Sequence, residues 1–297
     1  MRKITYKNKI GFPPTICIAL LNCCNLTCLC CRSNSSSNET RCLRFNDIES
    51  LFNRLSEYGQ WRISITGGEP LLWKELPQLI ELLYKLRFPF SVTTNGSCSA
   101  NIITSMPSCF WANGVIHVSI DGDRETHNYL RGHHAFENAI SFIEGIENAV
   151  SKIAINTVLF TNPEIWAKDL LSILLQRKIH HWSIISPVRN GRWNAIDQKL
   201  CTTLTYEKQF KFIEDMVQAS TQSMPVYKWD FAGKENVFCD TVFIGVDGNI
   251  RLPGYYQEDK DYPARPLSKI INIKDTNAST EIANSVLNYL ESEKYIL

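Results

Sequence analysis

A chain of 297 residues with 44% hydrophobic residues can build one large barrel-like domain or two ordinary ones around a sizeable core. With 31 Lys and Arg against 30 Asp and Glu its formal charge is +1, so no net field draws it to nucleic acid or to an acidic membrane surface. No apolar run reaches the roughly 18 residues that span a bilayer, and no basic-then-apolar leader opens the sequence, so a cytoplasmic protein with no membrane partner is expected. In that reducing compartment the 11 cysteines are better suited to metal or catalysis than to a disulfide framework. Six of them lie between Cys17 and Cys31, which favours metal over scattered core cysteine.

Residues 1–14 form a basic and polar lead-in that Pro13-Pro14 ends. Thr15 to Leu21 reads as a first strand, and Ile48, Leu51, Phe52 and Leu55 recur at helical spacing after Asn46-Asp47. Trp61 to Thr66 alternates as a second strand and runs into Gly67-Gly68-Glu69-Pro70. The helical period returns from Leu76 to Leu86. Phe90 to Thr94 is a third strand closing on Asn95-Gly96, and Val115 to Ile120 a fourth closing on Asp121-Gly122. A helix over Ala135–Val150, a strand over Lys152–Phe160, a helix from about Pro163 to Arg177 and a strand over Trp182–Ser186 complete the pattern. Six strands alternating with helices predict an α/β fold, a partial (β/α)6 TIM-type barrel over residues 15–190, whose chemistry sits at the carboxyl ends of its strands.

From 191 to 297 the pattern changes to a C-terminal extension. A helix from Tyr206 to about Ser220 precedes the alternating aromatics Tyr227, Trp229 and Phe231. These three suit either a substrate wall or a packed strand face. Val242–Val246 and Ile250–Leu252 flank an Asp247-Gly248 turn and predict a β-hairpin, and Ser279–Leu290 predicts a final helix.

Within the cysteine-rich stretch, Cys24, Cys28 and Cys31 carry the spacing Cys-x-x-x-Cys-x-x-Cys on a loop after the first strand. Thiolates that close can converge on an iron-sulfur cluster, a soft metal ion or structural zinc. The next βα unit presents Gly67-Gly68-Glu69-Pro70, and no Cys or His pair is placed to complete a zinc site. The combination is similar to the radical S-adenosylmethionine (radical SAM) enzymes, over about Thr15 to Pro187.

That resemblance implies one [4Fe-4S] cluster on Cys24, Cys28 and Cys31, with the remaining iron open to S-adenosyl-L-methionine. It implies that Gly67, Gly68 and Glu69 hold the methionyl ammonium group. Ser119, in Val118-Ser119-Ile120-Asp121-Gly122, would face the cofactor's ribose or carboxylate, with Thr94, Asn95, Arg131 and Asn156 on the same rim. Cys30 stands where the family commonly has an aromatic, and Cys23 is a further thiol beside the first ligand. Cys239 to Ile250 resembles the opening of a SPASM segment, but Leu252-Pro253-Gly254 lacks its next cysteine. A SPASM-like hairpin and helix without an auxiliary cluster is therefore expected.

Three more readings follow. Cys239 is a candidate hydrogen-atom donor to a substrate radical, or a buried remnant of a lost cluster. Arg189 and Arg192, flanking Asn190-Gly191, are candidates for a substrate carboxylate or phosphate, or exposed arginines. His127, His133 and His134 read as loop residues around the Arg131-Gly132 turn. The expected activity is reductive cleavage of S-adenosylmethionine and hydrogen abstraction from a peptide or natural-product substrate, with an external one-electron donor such as flavodoxin or ferredoxin. A sugar or aminocyclitol epimerase or dehydrogenase of the same family, and a non-catalytic zinc- or cluster-binding scaffold, are the alternatives.

Overall fold

The structure is a computed structural model that describes residues 14–187, 191–195, 205–220, 224–229, 241–251 and 270–292. In chain order the elements are β1 (Thr15–Ala19), α1 (Phe45–Leu55), β2 (Arg62–Thr66), α2 (Leu76–Leu86), β3 (Phe90–Thr94), the single turn α3 (Asn101–Thr104), β4 (Gly114–Ser119), α4 (Arg124–Arg131) and α5 (Ala135–Ile146). They continue with β5 (Ile153–Val158), α6 (Pro163–Leu174), β6 (Ile179–Ile185), α7 (Tyr206–Gln218), β7 (Val226–Trp229), β8 (Thr241–Ile244), β9 (Asn249–Arg251), β10 (Ile270–Asn272) and α8 (Ala278–Ser292). The described residues fall into two compact units. One lies within Met1–Cys23, Asn38–Val92 and Phe238–Leu297, the other within Cys24–Ser37 and Thr93–Val237.

In the first unit the strand order is β10-β9-β8-β1-β2-β3. Alternation decides which face of β1 is buried: Ile16 and Ile18 are fully covered, while Thr15, Cys17 and Ala19 are half-buried. The parallel register sets Ile16 between Ile63 and Val242 and Ile18 between Ile65 and Ile244. These β-branched rows fit a pleated surface, and each fully covered Ile or Val stabilises by roughly 1.5–3 kcal/mol. The amphipathic α1 buries Ile48, Leu51, Phe52 and Leu55, as its spacing predicts. Tyr58, just past α1, shares a 2.9 Å hydrogen bond with Thr280 of α8.

The predicted hairpin forms with Gly248 at φ +77°, but it is not a separate appendage. Its first strand, β8, pairs in parallel with β1, and β9 and β10 follow antiparallel. Periodicity cannot reveal this pairing, because β8 comes more than two hundred residues after β1 in the sequence.

The second unit is built on β4-β5-β6-β7, all parallel. One face is covered: Ile116, Val118, Ile155, Thr157, Trp182 and Ile184 are all fully buried. Helix α4 was not expected from the hydrophobic pattern, since Arg-Glu-Thr-His-Asn-Tyr-Leu-Arg holds little apolar surface. It is started instead by its cap, with Asp123 Oδ1 accepting from the Thr126 amide at 2.9 Å, and it stops at Gly132, φ +122°. His127 is therefore not a loop residue. It is fully buried on α4, and its Nδ1 accepts from the Asp121 amide at 3.0 Å.

Candidate functional site

The glycine motif after β2 folds tightly onto the chain after β1. Gly68 donates to Leu21 O at 2.6 Å and Glu69 to Cys23 O at 2.9 Å. A Cβ built on Gly68 would stand 2.0 Å from Cys23 O, so no side chain fits there. Gly67, at φ +142°, is closed to other residues by its backbone as well. The Glu69 side chain is 1% exposed, and Oε1 caps the Leu71 amide at 3.1 Å, opening the 3₁₀ turn Pro70–Leu72.

The cysteine loop lies in the second unit. Its backbone is tied at 24, where the Cys24 amide donates to Ser36 O at 3.1 Å, and at 29, where the Leu29 amide donates to Leu130 O at 2.8 Å. Cys24 Sγ accepts from the Leu26 amide at 3.4 Å and from Asn95 Nδ2 at 3.7 Å, the contacts a thiolate attracts. Asn95 is aimed by its own bonds, Nδ2 to Asn25 Oδ1 at 2.9 Å and the Ser97 amide to its Oδ1 at 2.7 Å. Thr94 Oγ1 accepts from the Gly96 amide at 3.1 Å. Cys24 and Cys28 are buried and Cys31 is half-buried.

Residues 191–193 close over the loop. The Arg192 amide donates to Cys31 O at 3.0 Å, its Nε to Cys28 O at 2.7 Å and its Nη2 to Ser35 O at 2.9 Å. Its donors thus hold cysteine-loop carbonyls. Gly191, at φ +60°, has room for no Cβ, which would lie 2.4 Å from Cys31 O. Trp193 packs at 4.4 Å on Phe160, in one apolar cluster with Cys28, Cys30 and Leu130. Asn190-Gly191 is legible in sequence as a turn, but nothing local shows which loop it would clamp.

Asp121 and Arg131 make a buried pair, Nε to Oδ2 at 2.7 Å, and Asp121 Oδ1 also accepts from the Val158 amide at 2.9 Å. Burial works to lower the pKa of Arg131, but the carboxylate of Asp121 and then the thiols push it up. Burial raises the Cys28 thiol, with Arg131 opposing, and raises Cys30 further. Ser119 is buried, and Asn156 Oδ1 meets His117 Nδ1 at 2.8 Å. Arg189 and Cys239 lie outside the described residues, as do 252–254 and Phe231.

Among the described residues no group of three or more His, Cys, Asp or Glu side chains is placed to hold a metal ion. The donor chemistry still fits a thiolate-bound group. Three cysteines share one short loop, and amide donors already point at one of their sulfurs. Such sites often gather only with the metal, which must also displace the thiol protons.

Residues 18–171, more than half of the chain, match the Radical SAM superfamily. The chain belongs to that superfamily. Enzymes of the radical SAM superfamily bind a [4Fe-4S] cluster and S-adenosylmethionine, which are therefore the cofactors here. A curated relative, the "Probable GTP 3',8-cyclase" of Pyrococcus abyssi, is 25% identical over 166 residues, 54% of this chain and 53% of that protein. The chain spans about half the length of such curated relatives. Streptococcus suis SuiB bound to precursor peptide SuiA superposes with TM-score 0.65 at 16% identity, covering 82% of this chain and 60% of SuiB. Native anSMEcpe with bound AdoMet and Kp18Cys peptide gives 0.66 at 18% identity, covering 96% and 83%. These likenesses establish the fold as mixed α/β on a parallel sheet, consistent with a partial barrel that is not closed. Among the described residues no helix is long and apolar enough to cross a membrane.

His127 gives the radical SAM domain a pH dependence. Burial, and next the Arg131 charge, lower its pKa to about 3. The unfolded value is about 6.5, so the stability conferred by neutral His127 is whole above pH 6.5 and drains away as the pH falls toward 3. At pH 5 the wild-type chain should have lost about 2 kcal/mol more than His127→Gln, whose side chain does not titrate. Urea midpoints at pH 7 and pH 5 measure this; equal losses in the two proteins would refute it.

Proposed function

We propose that this chain is a radical SAM enzyme that reductively cleaves S-adenosylmethionine and abstracts hydrogen from a peptide or natural-product substrate. The observation that carries this is the Cys24, Cys28, Cys31 loop, clamped at both ends and supplied with amide donors to sulfur, inside the matched domain. Bound there, the cluster and S-adenosylmethionine supply a one-electron reduction and an adenosyl-derived radical. The three thiolates hold the cluster. Asn95 and the Leu26 amide keep charge on Cys24 stabilised, and Arg192 fixes the carbonyls of Cys28 and Ser35 so that the loop cannot splay.

Glu69, pinned by the Leu71 amide, offers a carboxylate for the methionyl ammonium, and the bare backbone of Gly67 and Gly68 allows close approach. Thr94, Ser119, Arg131 and Asn156 are assigned to the rest of the cofactor. Arg189 is assigned to the substrate and Cys239 to hydrogen donation. An external donor such as flavodoxin or ferredoxin provides the electron. The peptides named with SuiB and with anSMEcpe support a peptide substrate.

Anaerobic reconstitution with iron and sulfide should give a brown protein with about four irons per chain. Under dithionite it should make 5'-deoxyadenosine from S-adenosylmethionine. Tight zinc with no cleavage would replace this reading by a structural metal site.

A further inference from the structure

The second unit's sheet has one face closed by apolar side chains, and its other face carries a continuous polar row. The register aligns Ser119 with Asn156, Asn156 with Ser183, and Ser183 with Tyr227, so one row crosses β4, β5, β6 and β7. Two residues earlier, His117 and His181 flank Ala154. A bulge opposite Ile153/Ala154 puts His180 beside His181, with their Nδ1 atoms 3.0 Å apart. Bulges recur where a strand must re-aim a side chain beside a site. The His181 ring lies 5.3 Å from that of His117 and 5.0 Å from that of Tyr227, which joins the histidines and the row into one patch.

This patch has two properties that packing does not require. Ser183 is 1% exposed, and among the described residues its hydroxyl has no hydrogen-bond partner, a state that costs stability unless something else fills it. Tyr227 is 47% exposed and Trp229 38%, large residues only partly covered on the same face. The face also lacks charge. Its described positions on β4 to β7 hold no Asp, Glu, Lys or Arg. Lys228 points the other way, into a pair with Glu207, and Asp121 just past β4 is neutralised by Arg131. Burial lowers the pKa of His117, and burial followed by His117 and His180 lowers that of His181 to about 4, so both rings are neutral at pH 7.

We propose that His181, Ser183 and Tyr227, continuing the row from Ser119 and Asn156, form a substrate-recognition wall for an uncharged segment bearing amides or hydroxyls, such as a peptide main chain, and not for a nucleotide's phosphates. Phosphates select Arg and Lys, which the described positions of this face on β4 to β7 do not offer. Neutral imidazole, hydroxyl and carboxamide groups each both donate and accept, which suits amides and hydroxyls, and the partly covered aromatic residues suit the apolar surface between them. The inference deepens the proposed function, since the recognised segment would be the one that loses hydrogen.

The test reads binding alone, so it stands or fails apart from cofactor cleavage, which is scored separately on the same reconstituted protein. The chain is labelled with 3-fluorotyrosine, and the Tyr227 ¹⁹F resonance is assigned by its loss in Tyr227→Phe. It is titrated with N-acetylalanine N-methylamide, methyl glucoside and inorganic triphosphate. A saturable shift with the blocked amino acid identifies a peptide segment, and one with the glucoside alone identifies a sugar.

Ser183→Ala should weaken the binding roughly tenfold, the loss of about one hydrogen bond, while melting no lower than wild type because the hydroxyl is unpartnered among the described residues. A shift with triphosphate, no shift with either neutral probe, or full affinity in Ser183→Ala would overturn the proposal.

Discussion

Replacing Cys28 by alanine is expected to leave the reconstituted chain without its cluster and to lower 5'-deoxyadenosine formation by about a thousandfold or more, roughly 4 kcal/mol of barrier. Two thiolates cannot hold a cluster that needs three, and the substituted position is the central one of the spacing. The loop itself should survive, because its ties run through backbone: Leu29 to Leu130, Arg192 to Cys28 O and to Ser35 O. Cys30→Ala is the informative contrast. That thiol falls outside the Cys-x-x-x-Cys-x-x-Cys spacing of Cys24, Cys28 and Cys31, so the variant should keep close to wild-type iron. Iron lost from Cys30→Ala and retained in Cys28→Ala would reverse the ligand assignment.

Arg131→Leu should destabilise the chain by about 3–5 kcal/mol, because it strands the Asp121 carboxylate, whose side chain is wholly inaccessible. Asp121→Asn combined with Arg131→Leu should recover a good part of that loss. A neutral amide can still accept from the Val158 amide and no longer buries a bare charge. The damage should also reach iron uptake, since the Leu29 tie of the cysteine loop ends on the carbonyl next to Arg131. A loss below about 1 kcal/mol in urea unfolding would show that the pair is paid for elsewhere in the domain.

How far the sequence carried depended on where the information lay. Strand β3 and helix α2 occupy the residues their periodicity marks, Phe90–Thr94 and Leu76–Leu86, because burial of alternate or every third and fourth residue is a local signal. Helix α4 escaped because its buried residues are His127 and Leu130 and its start depends on the Asp123 cap, features that a search for apolar stripes passes over. Gly68 was legible as half of a glycine pair that ends a strand and, through the family resemblance, as part of the cofactor's cradle. The partner it approaches, Cys23 O, was not. Arg192 shows the same limit: its composition suggested an anion, and only the fold shows its guanidinium on carbonyls more than 150 residues away.

The placement of β8 against β1 also bears on how the chain is made. Strand β1 lies between β2, which closely follows it, and β8, which starts at Thr241. At about 5–20 residues per second, on the order of ten to forty seconds of synthesis separate those two partners. Through that interval Thr15–Ala19 presents an unpaired edge rich in β-branched residues, a template for another nascent chain. The first unit thus completes its sheet late, and chaperone capacity during translation should govern yield more than the stability of the finished protein does.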